Sequence, residues 1–214
     1  MNASVTAPGL DCQLCTRLVE YRRDNKKNLP GGFNAPVPTF YGTCPRLLVV
    51  GLAPGLNGAN KTGRPFTGDY AGDLLYTALL RFGFAKGVYA AKPDDSLELI
   101  DCSITNAVRC VPPKNKPVAA EINACRPFLK AEIEDHDSIR AILALGRISH
   151  ESVVRAFSRK LSEFRFSHGA RHGLSPDVTL FDSYHCSRYN TNTRRLSSEM
   201  FMEVFSQIRS FLDG

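Results

Sequence analysis

Four cysteines at two spacings are the first residues in this sequence able to do chemistry. Cys12 and Cys15 sit in Cys12-Gln-Leu-Cys15, and Cys110 and Cys125 have 14 residues between them. A Cys-x2-Cys turn aims both sulfurs the same way, so two thiolates can grip one metal centre. A redox pair or two unrelated cysteines give the same spacing. With the second pair, loop-to-helix in character, the chain has what a four-thiolate site needs. Zinc and an iron–sulfur cluster both accept that donor set. A second group of residues suits a nucleic-acid base. The Asn106 carboxamide can pair with a base edge, and the Phe66 ring can stack on a base face. The His185 imidazole can stabilise negative charge, and the Asp69 carboxylate can orient water.

The elements that must bring these groups together are legible as alternating strands and helices. Leu47–Val50 is an apolar run that reads as a buried parallel strand ending at Gly51. The connection Gly51–Asp69 (GLAPGLNGANKTGRPFTGD) carries glycines that allow positive φ and close approach of backbone to a ligand. A long surface loop using Gly and Pro only for turns is the plainer alternative. Helical spacing follows over Asp73–Phe84, a second strand over Leu99–Asn106 and a helix over Val118–His136. Ile139–Leu145 and Val178–Phe181 read as further strands, Ile148–Phe157 as a short helix and Ser197–Leu212 as an amphipathic one. Such alternation predicts a parallel sheet with helices on both faces. Gly51–Asp69, Asn106 and His185 then follow strand ends that can share one edge, where ligands sit in open α/β sheets.

Residues 1–11 read as a flexible lead-in, and the Pro- and Gly-dense stretch 28–45 as irregular connection. Cys44 is expected in a loop and Cys102 in a strand. With Cys186, beside His185, they read as packing residues. His136, His150, His168 and His172 read as surface or satisfied positions. Asp73, Asp101 and Asp182 are expected to serve structural hydrogen bonds. Arg17, Arg22, Arg23, Lys26 and Lys27 make the first helix basic, which suits a solvated face or phosphate contacts equally.

Composition bounds the answer without deciding it. Hydrophobic residues make up 43% and charged residues 22% of 214 residues, ordinary for a globular chain that buries one sizeable core. No run approaches the roughly 18 apolar residues of a membrane span. The N-terminal stretch lacks the basic and apolar regions of a secretory signal, so a cytoplasmic protein is expected. In that setting seven cysteines favour metal or cluster ligation over a disulfide framework. Lys and Arg number 27 against 21 Asp and Glu, a net charge of +6 that suits a polyanionic partner.

Five ordered segments carry a resemblance: Cys12-x2-Cys15, Gly51–Asp69, Ile104–Pro117 (ITNAVRCVPPKNKP), Ala124–Leu129 (ACRPFL) and the stretch around His185. From Cys12 to about Leu196 the chain resembles the iron–sulfur uracil-DNA glycosylases, in their family 5 (type b) branch. Family 4 relatives carry an acidic residue where this chain has Leu52. The resemblance implies a three-layer α/β/α sandwich with a central four-stranded parallel sheet. One domain, residues 1–214, would carry an N-terminal cysteine hook at about 12–30. It implies a [4Fe–4S] cluster on Cys12, Cys15, Cys110 and Cys125, acting as a structural staple. Uracil, and also hypoxanthine and xanthine, would be hydrolysed from single- or double-stranded DNA by base flipping, leaving an abasic site. A monomer in a bacterial or archaeal cytosol is expected, with DNA as partner and no membrane.

Site roles carry over by position. Phe66 would stack on the flipped base, Asn106 would read its edge, and backbone around Leu52, Ala53 and Gly55 would line the pocket. His185 would stabilise charge on the leaving base, and Asp69 would position or activate water. Arg188, Arg194, Lys114 and Lys116 are the candidate DNA contacts. No lysine in these motifs stands as a Schiff-base nucleophile, so hydrolysis without strand cleavage is expected. One segment departs from the pattern: His185-Cys186 lacks the family's Pro after the histidine, and Arg194 replaces a Gly before Arg195-Leu196. Loss of the Gly is expected to obstruct a positive φ there. A non-catalytic iron–sulfur protein that binds nucleic acid or senses redox state is the rival reading.

Overall fold

Leu47 and Val49 face one core and Leu48 and Val50 the other, all four fully buried. A strand apolar on both faces must be covered on both sides, and this one is central in the sheet. The computed structural model describes residues 7–214, so residues 1–6 of the expected lead-in lie outside the described residues. Strand β1 (Thr43–Gly51) is flanked in parallel by β3 (Glu98–Asn106) and β4 (Ala141–Leu145). Beyond β4 lies β6 (Thr179–Ser183), also parallel. These are the four expected parallel strands. Two short antiparallel strands, β2 (Ala85–Lys86) and β5 (Arg171–Gly173), are added at the edges, giving the order β2-β3-β1-β4-β6-β5. Neither is long enough to show an alternating pattern in sequence, and short edge strands are a common way of closing a sheet.

Helices α3 (Tyr70–Arg81) and α7 (Ser198–Asp213) cover one face with Leu75, Leu79, Phe201 and Phe205. Helices α4 (Ala119–Glu134) and α5 (Arg147–Ala156) cover the other with Leu129, Val153 and Val154. The expected layered α/β/α arrangement results. Helix α1 (Thr16–Asn28) sets Leu18 in a small separate cluster with Cys110, Cys125 and Phe128. Short helices α2 (Ala59–Thr62) and α6 (Arg188–Asn192) complete the chain.

Two expectations need correction. Strand β1 begins at Thr43, so the irregular stretch ends earlier than expected and Cys44 lies in the strand. A register shift between Thr43 and Leu47 accommodates it, with Cys44 at φ 45°. Basic residues of α1 are not all solvated or free for phosphate. Arg17 forms a 2.7 Å ion pair with Glu121 at the start of α4, and Arg22 is 5% exposed. The hook is thereby tied to the segment that carries Cys125.

The site depends most on how β1 ends. Gly51 pairs with Asn106 across the ladder, and Ala107 and Val108 N–H groups then donate to the carbonyls of Gly51 and Leu52. Pairing thus continues past the sheet into both loops. The chain runs from β1 to β3 on one side and resumes at β4 on the other. This reversal of strand order is where open α/β sheets leave a crevice.

A buried charge pair holds β6. His150 Nδ1 lies 2.8 Å from Asp182 Oδ1, and its Nε2 lies 3.0 Å from the Phe164 carbonyl. Both partners offer acceptor oxygens, so a protonated ring can donate from both nitrogens. Burial alone would lower the His150 pKa, but the Asp182 hydrogen bond and charge outweigh it and the pKa is raised above 6.5. A raised folded value means the stabilisation is complete below pH 6.5 and is lost as pH climbs through the folded pKa. Urea unfolding of the wild type is therefore expected to show falling stability above pH 6.5, and Asp182→Asn to flatten that slope.

Candidate active site

The strand ends enclose a cavity of about 300 Å³. Its wall includes Leu52, Ala53, Gly55, Phe66, Asp69, Asn106, His185 and Arg188, eight of the expected residues, drawn from segments far apart in sequence. Lys114, Lys116 and Arg194 are exposed and lie outside the lining. Tyr70 and Asn115 also line it and were not foreseen. Asn115 comes from the Pro113–Asn115 turn after β3, where it and Lys114 both take positive φ. A carboxamide among prolines was the only signal, and nothing local shows that the turn folds over the pocket.

Close approach, more than positive φ, explains the glycines. A Cβ on Gly51 would lie 2.4 Å from Asn106 Oδ1 and 2.6 Å from Phe66 Cζ. One on Gly58 would lie 2.4 Å from Asp69 Oδ2. The loop is therefore built around the side chains that cross it. Asp69 caps α3, accepting the Gly72 N–H at 3.3 Å, so its carboxylate is fixed with one oxygen directed toward the glycine loop. Burial raises its pKa above the ordinary 3.8, against the lowering effect of backbone N–H groups from Gly72 and Ala71.

Phe66 is held in a strained conformation, φ 53°, which a bulky residue adopts only when its surroundings impose it. The Tyr76 hydroxyl donates to the Pro65 carbonyl at 2.7 Å and that of Tyr89 to the Phe66 carbonyl at 3.1 Å. Beside them Arg64 forms a two-pronged pair with Asp95, 2.7 and 2.8 Å, and its Nε–H reaches Thr67 Oγ1. The guanidinium also sits over the rings of Phe40 and Tyr76. Arg64 is 6% exposed, and its hydrogen bond drives the Asp95 pKa down to about 2.

The His185 ring lies 6.0 Å from that of Phe66, tilted by 28°. Burial pushes its pKa down to about 4, so it is a neutral imidazole at physiological pH. Its carbonyl accepts from Asn190 Nδ2 at 2.8 Å, and the preceding Tyr184 N–H donates to His168 Nδ1 at 3.2 Å. His168 and Asn190 thus fix the backbone on either side. Cys186 is fully buried with Sγ on the Ala71 carbonyl, as a packing residue should be. Arg188 stacks over Tyr70, and Tyr189 beside it is 72% exposed. Arg194 takes φ 56°, so replacing Gly has not removed the left-handed turn, contrary to expectation.

Cys12, Cys15, Cys110 and Cys125 all line a second, much smaller cavity of about 20 Å³ together with Arg22. Burial pushes the Cys110 thiol up to about 12 and the Cys125 thiol up to about 11. Such thiols need a cationic centre to become thiolates. Among the described residues, only His150, His172 and Asp182 form a trio with ligand atoms all within 4.8 Å of one another.

Residues 38–209 match the model of the uracil DNA glycosylase superfamily. The chain is 41% identical to a type-5 uracil-DNA glycosylase of Thermus thermophilus over 203 residues, covering 92% of each chain. It is 39% identical to a type-5 enzyme of Mycobacterium bovis, covering 92% of this chain and 77% of that one. A third type-5 enzyme, from Pyrobaculum aerophilum, is 37% identical, with 91% and 86% covered.

The Arg64–Asp95 pair carries a stability prediction. Truncating Asp95 to Ala leaves a guanidinium buried without its carboxylate, a change that costs about 3–5 kcal/mol. Chemical denaturation should show that loss, and an Asp95→Ala protein within 1 kcal/mol of wild type, roughly the effect of a surface pair, would contradict it.

Proposed function

The chain belongs to the uracil DNA glycosylase superfamily, and we propose that it flips uracil, hypoxanthine and xanthine out of DNA into the cavity beneath Phe66 and hydrolyses their N-glycosidic bonds. The convergence of Phe66, Asp69, Asn106 and His185 on one cavity carries this reading. A volume of about 300 Å³ is roomier than a single pyrimidine requires, which supports acceptance of bicyclic bases. Unstacking a base also needs the duplex held open. Exposed Tyr189, on the helix that follows His185, is the aromatic available to fill the gap, with Arg188, Arg194, Lys114 and Lys116 on phosphates.

In the reaction, Phe66 covers the face of the extruded base and the Asn106 carboxamide pairs with its edge. As the bond between the sugar C1′ and the base nitrogen breaks, negative charge spreads over the base and positive charge over the sugar. Neutral His185 donates a hydrogen bond to a carbonyl oxygen of the base, which stabilises the charge without an imidazolium to reorganise. Asp69, aimed at the sugar side, offsets the cation and orients a water. The water oxygen bonds to C1′, and its proton ends on the departing base. The product is an abasic site, with the strand intact.

Cys12, Cys15, Cys110 and Cys125 would hold a [4Fe–4S] cluster, a reading supported by four cysteines lining one cavity and by the iron–sulfur family that the sequence resembles. Bound there, such a cluster supplies a rigid staple between the hook of residues 12–30 and the loop after β3, within a single domain acting as a monomer. Among the described residues no helix is long and apolar enough to cross a membrane, which suits work on DNA.

Asp69→Asn retains an N-cap and removes the charge, so it isolates chemistry from folding. Uracil release from an oligonucleotide is expected to fall about 10²–10⁴-fold. In the wild type the rate should drop on acidification as Asp69 protonates, at a pH above 3.8. Full excision by the Asn variant would remove Asp69 from the mechanism. Arg194→Gly tests the altered loop. Relief of the left-handed strain should stabilise the fold by about 1 kcal/mol, and loss of a phosphate contact should lower the salt slope of DNA binding by about 1. Unchanged DNA affinity in that variant would take Arg194 out of the interface.

A further inference from the structure

The cysteine cavity contains a cation with no anionic partner among the described residues. Arg22, on the second turn of α1, is 5% exposed and lines the cavity with all four cysteines. Its two terminal nitrogens donate to the carbonyls of Leu10 and Cys12, so its hydrogen bonds go to main chain and not to a carboxylate. Its Nε is buried and has no hydrogen-bond partner among the described residues. The other arginine of the lining, Arg109, also has a buried, unpartnered Nε, but its charge is met by Glu132 at 2.9 Å.

A guanidinium is expensive to bury without a counter-charge, and an unmade N–H bond adds to the cost. Both costs are met if the cavity holds an anionic group. Four thiolates around an iron–sulfur core make such a centre, and hydrogen bonds to its sulfurs and nearby charge set its potential.

We propose that Arg22 is the charge partner of the cysteine centre, donating its Nε–H to a sulfur of the centre, raising its reduction potential and slowing its oxidative loss. The inference rests on the cluster reading above and gives Arg22 a role that a zinc site or a set of free thiols would not require. A positive charge in a low-dielectric wall favours the more reduced, more negative state of the centre and disfavours the oxidised one from which iron is shed. The role differs from a mechanical tie of the hook, which its bonds to Leu10 and Cys12 also provide. A tie affects how well the centre is retained but not its midpoint potential.

The test uses full-length wild type, Arg22→Gln and Arg22→Lys, purified without oxygen. Iron and acid-labile sulfide per chain are measured first, then the midpoint potential by titration with dithionite, and then the rate of bleaching by ferricyanide with a chelator. Arg22→Gln is expected at a lower midpoint and to bleach several-fold faster. Arg22→Lys keeps the charge and loses the Nε–H, so a smaller shift in the same direction is expected. If the Gln variant does not retain a centre, the Lys variant decides the matter. A Lys variant, or a retained Gln variant, at the wild-type midpoint and bleaching rate overturns the proposal. A wild type containing zinc or no metal refutes the cluster reading itself, and this inference with it.

Discussion

The pocket depends on the absence of one side chain. At Gly51 the Asn106 carboxamide and the Phe66 ring converge over the end of β1, each within 3 Å of where a Cβ would stand. Neither the Asn106 carboxamide nor the Phe66 ring can occupy its place if β1 ends in any other residue. The same backbone unit is the last rung of the ladder with β3, and its carbonyl accepts the Ala107 N–H. The contact that shapes the pocket therefore also sets the register of the two loops that bound it.

Rigid placement of these loops comes mainly from buried charge. Arg64–Asp95, Arg109–Glu132 and His150–Asp182 are each nearly or wholly sequestered, and each is tied to a segment of the site. Arg64 braces the turn that carries Phe66, Arg109 the loop between Asn106 and Cys110, and His150 the strand that leads to His185. Exposed pairs such as Lys86–Glu98 contribute on the order of 0–1 kcal/mol. Buried pairs carry a large desolvation cost and contribute little net stability, but breaking one costs several kcal/mol. Their effect here is geometric. A strained Phe66 persists because the hydroxyls of Tyr76 and Tyr89, packed around Arg64, leave its main chain no alternative.

Sequence was informative where a residue type and its neighbours determine the outcome. The run Leu47–Val50 could only be a strand buried on both faces, and a Gly, Pro, Asn-rich connection after it could be read as a ligand loop. What could not be read is which distant atoms approach it. Gly51 and Gly58 resemble turn glycines until Asn106 and Asp69 are in place beside them. Arg17 and Arg22 look like the solvent face of a basic helix until Glu121 and the cysteines arrive from elsewhere in the chain. Helix α6 has no apolar periodicity, and Asn115 reaches the pocket only through the course of its loop. Arg194 is instructive in a different way. Glycine is the residue expected at φ 56°, but the surrounding turns impose that conformation on an arginine at a cost of about 1–2 kcal/mol.

Proximity of the cysteine quartet to the pocket has a structural logic. Only Ala107, Val108 and Arg109 separate Asn106 from Cys110, and each is buried. Val108 belongs to the cysteine cluster and also donates to the Leu52 carbonyl in the pocket wall. Ala53 faces both sites, lining the cavity and packing against the cysteine cluster. The Arg109 N–H, in turn, donates to Cys125 Sγ at 3.3 Å. A shift of Cys110 is therefore transmitted along a short, fully packed stretch with few degrees of freedom to absorb it. An amide proposed to meet a base edge within hydrogen-bonding tolerance cannot sit at the end of a loose loop. A centre held by the four sulfurs, as proposed, would anchor the far end of its loop to α1 and α4 and stiffen the amide without placing any further group in the pocket.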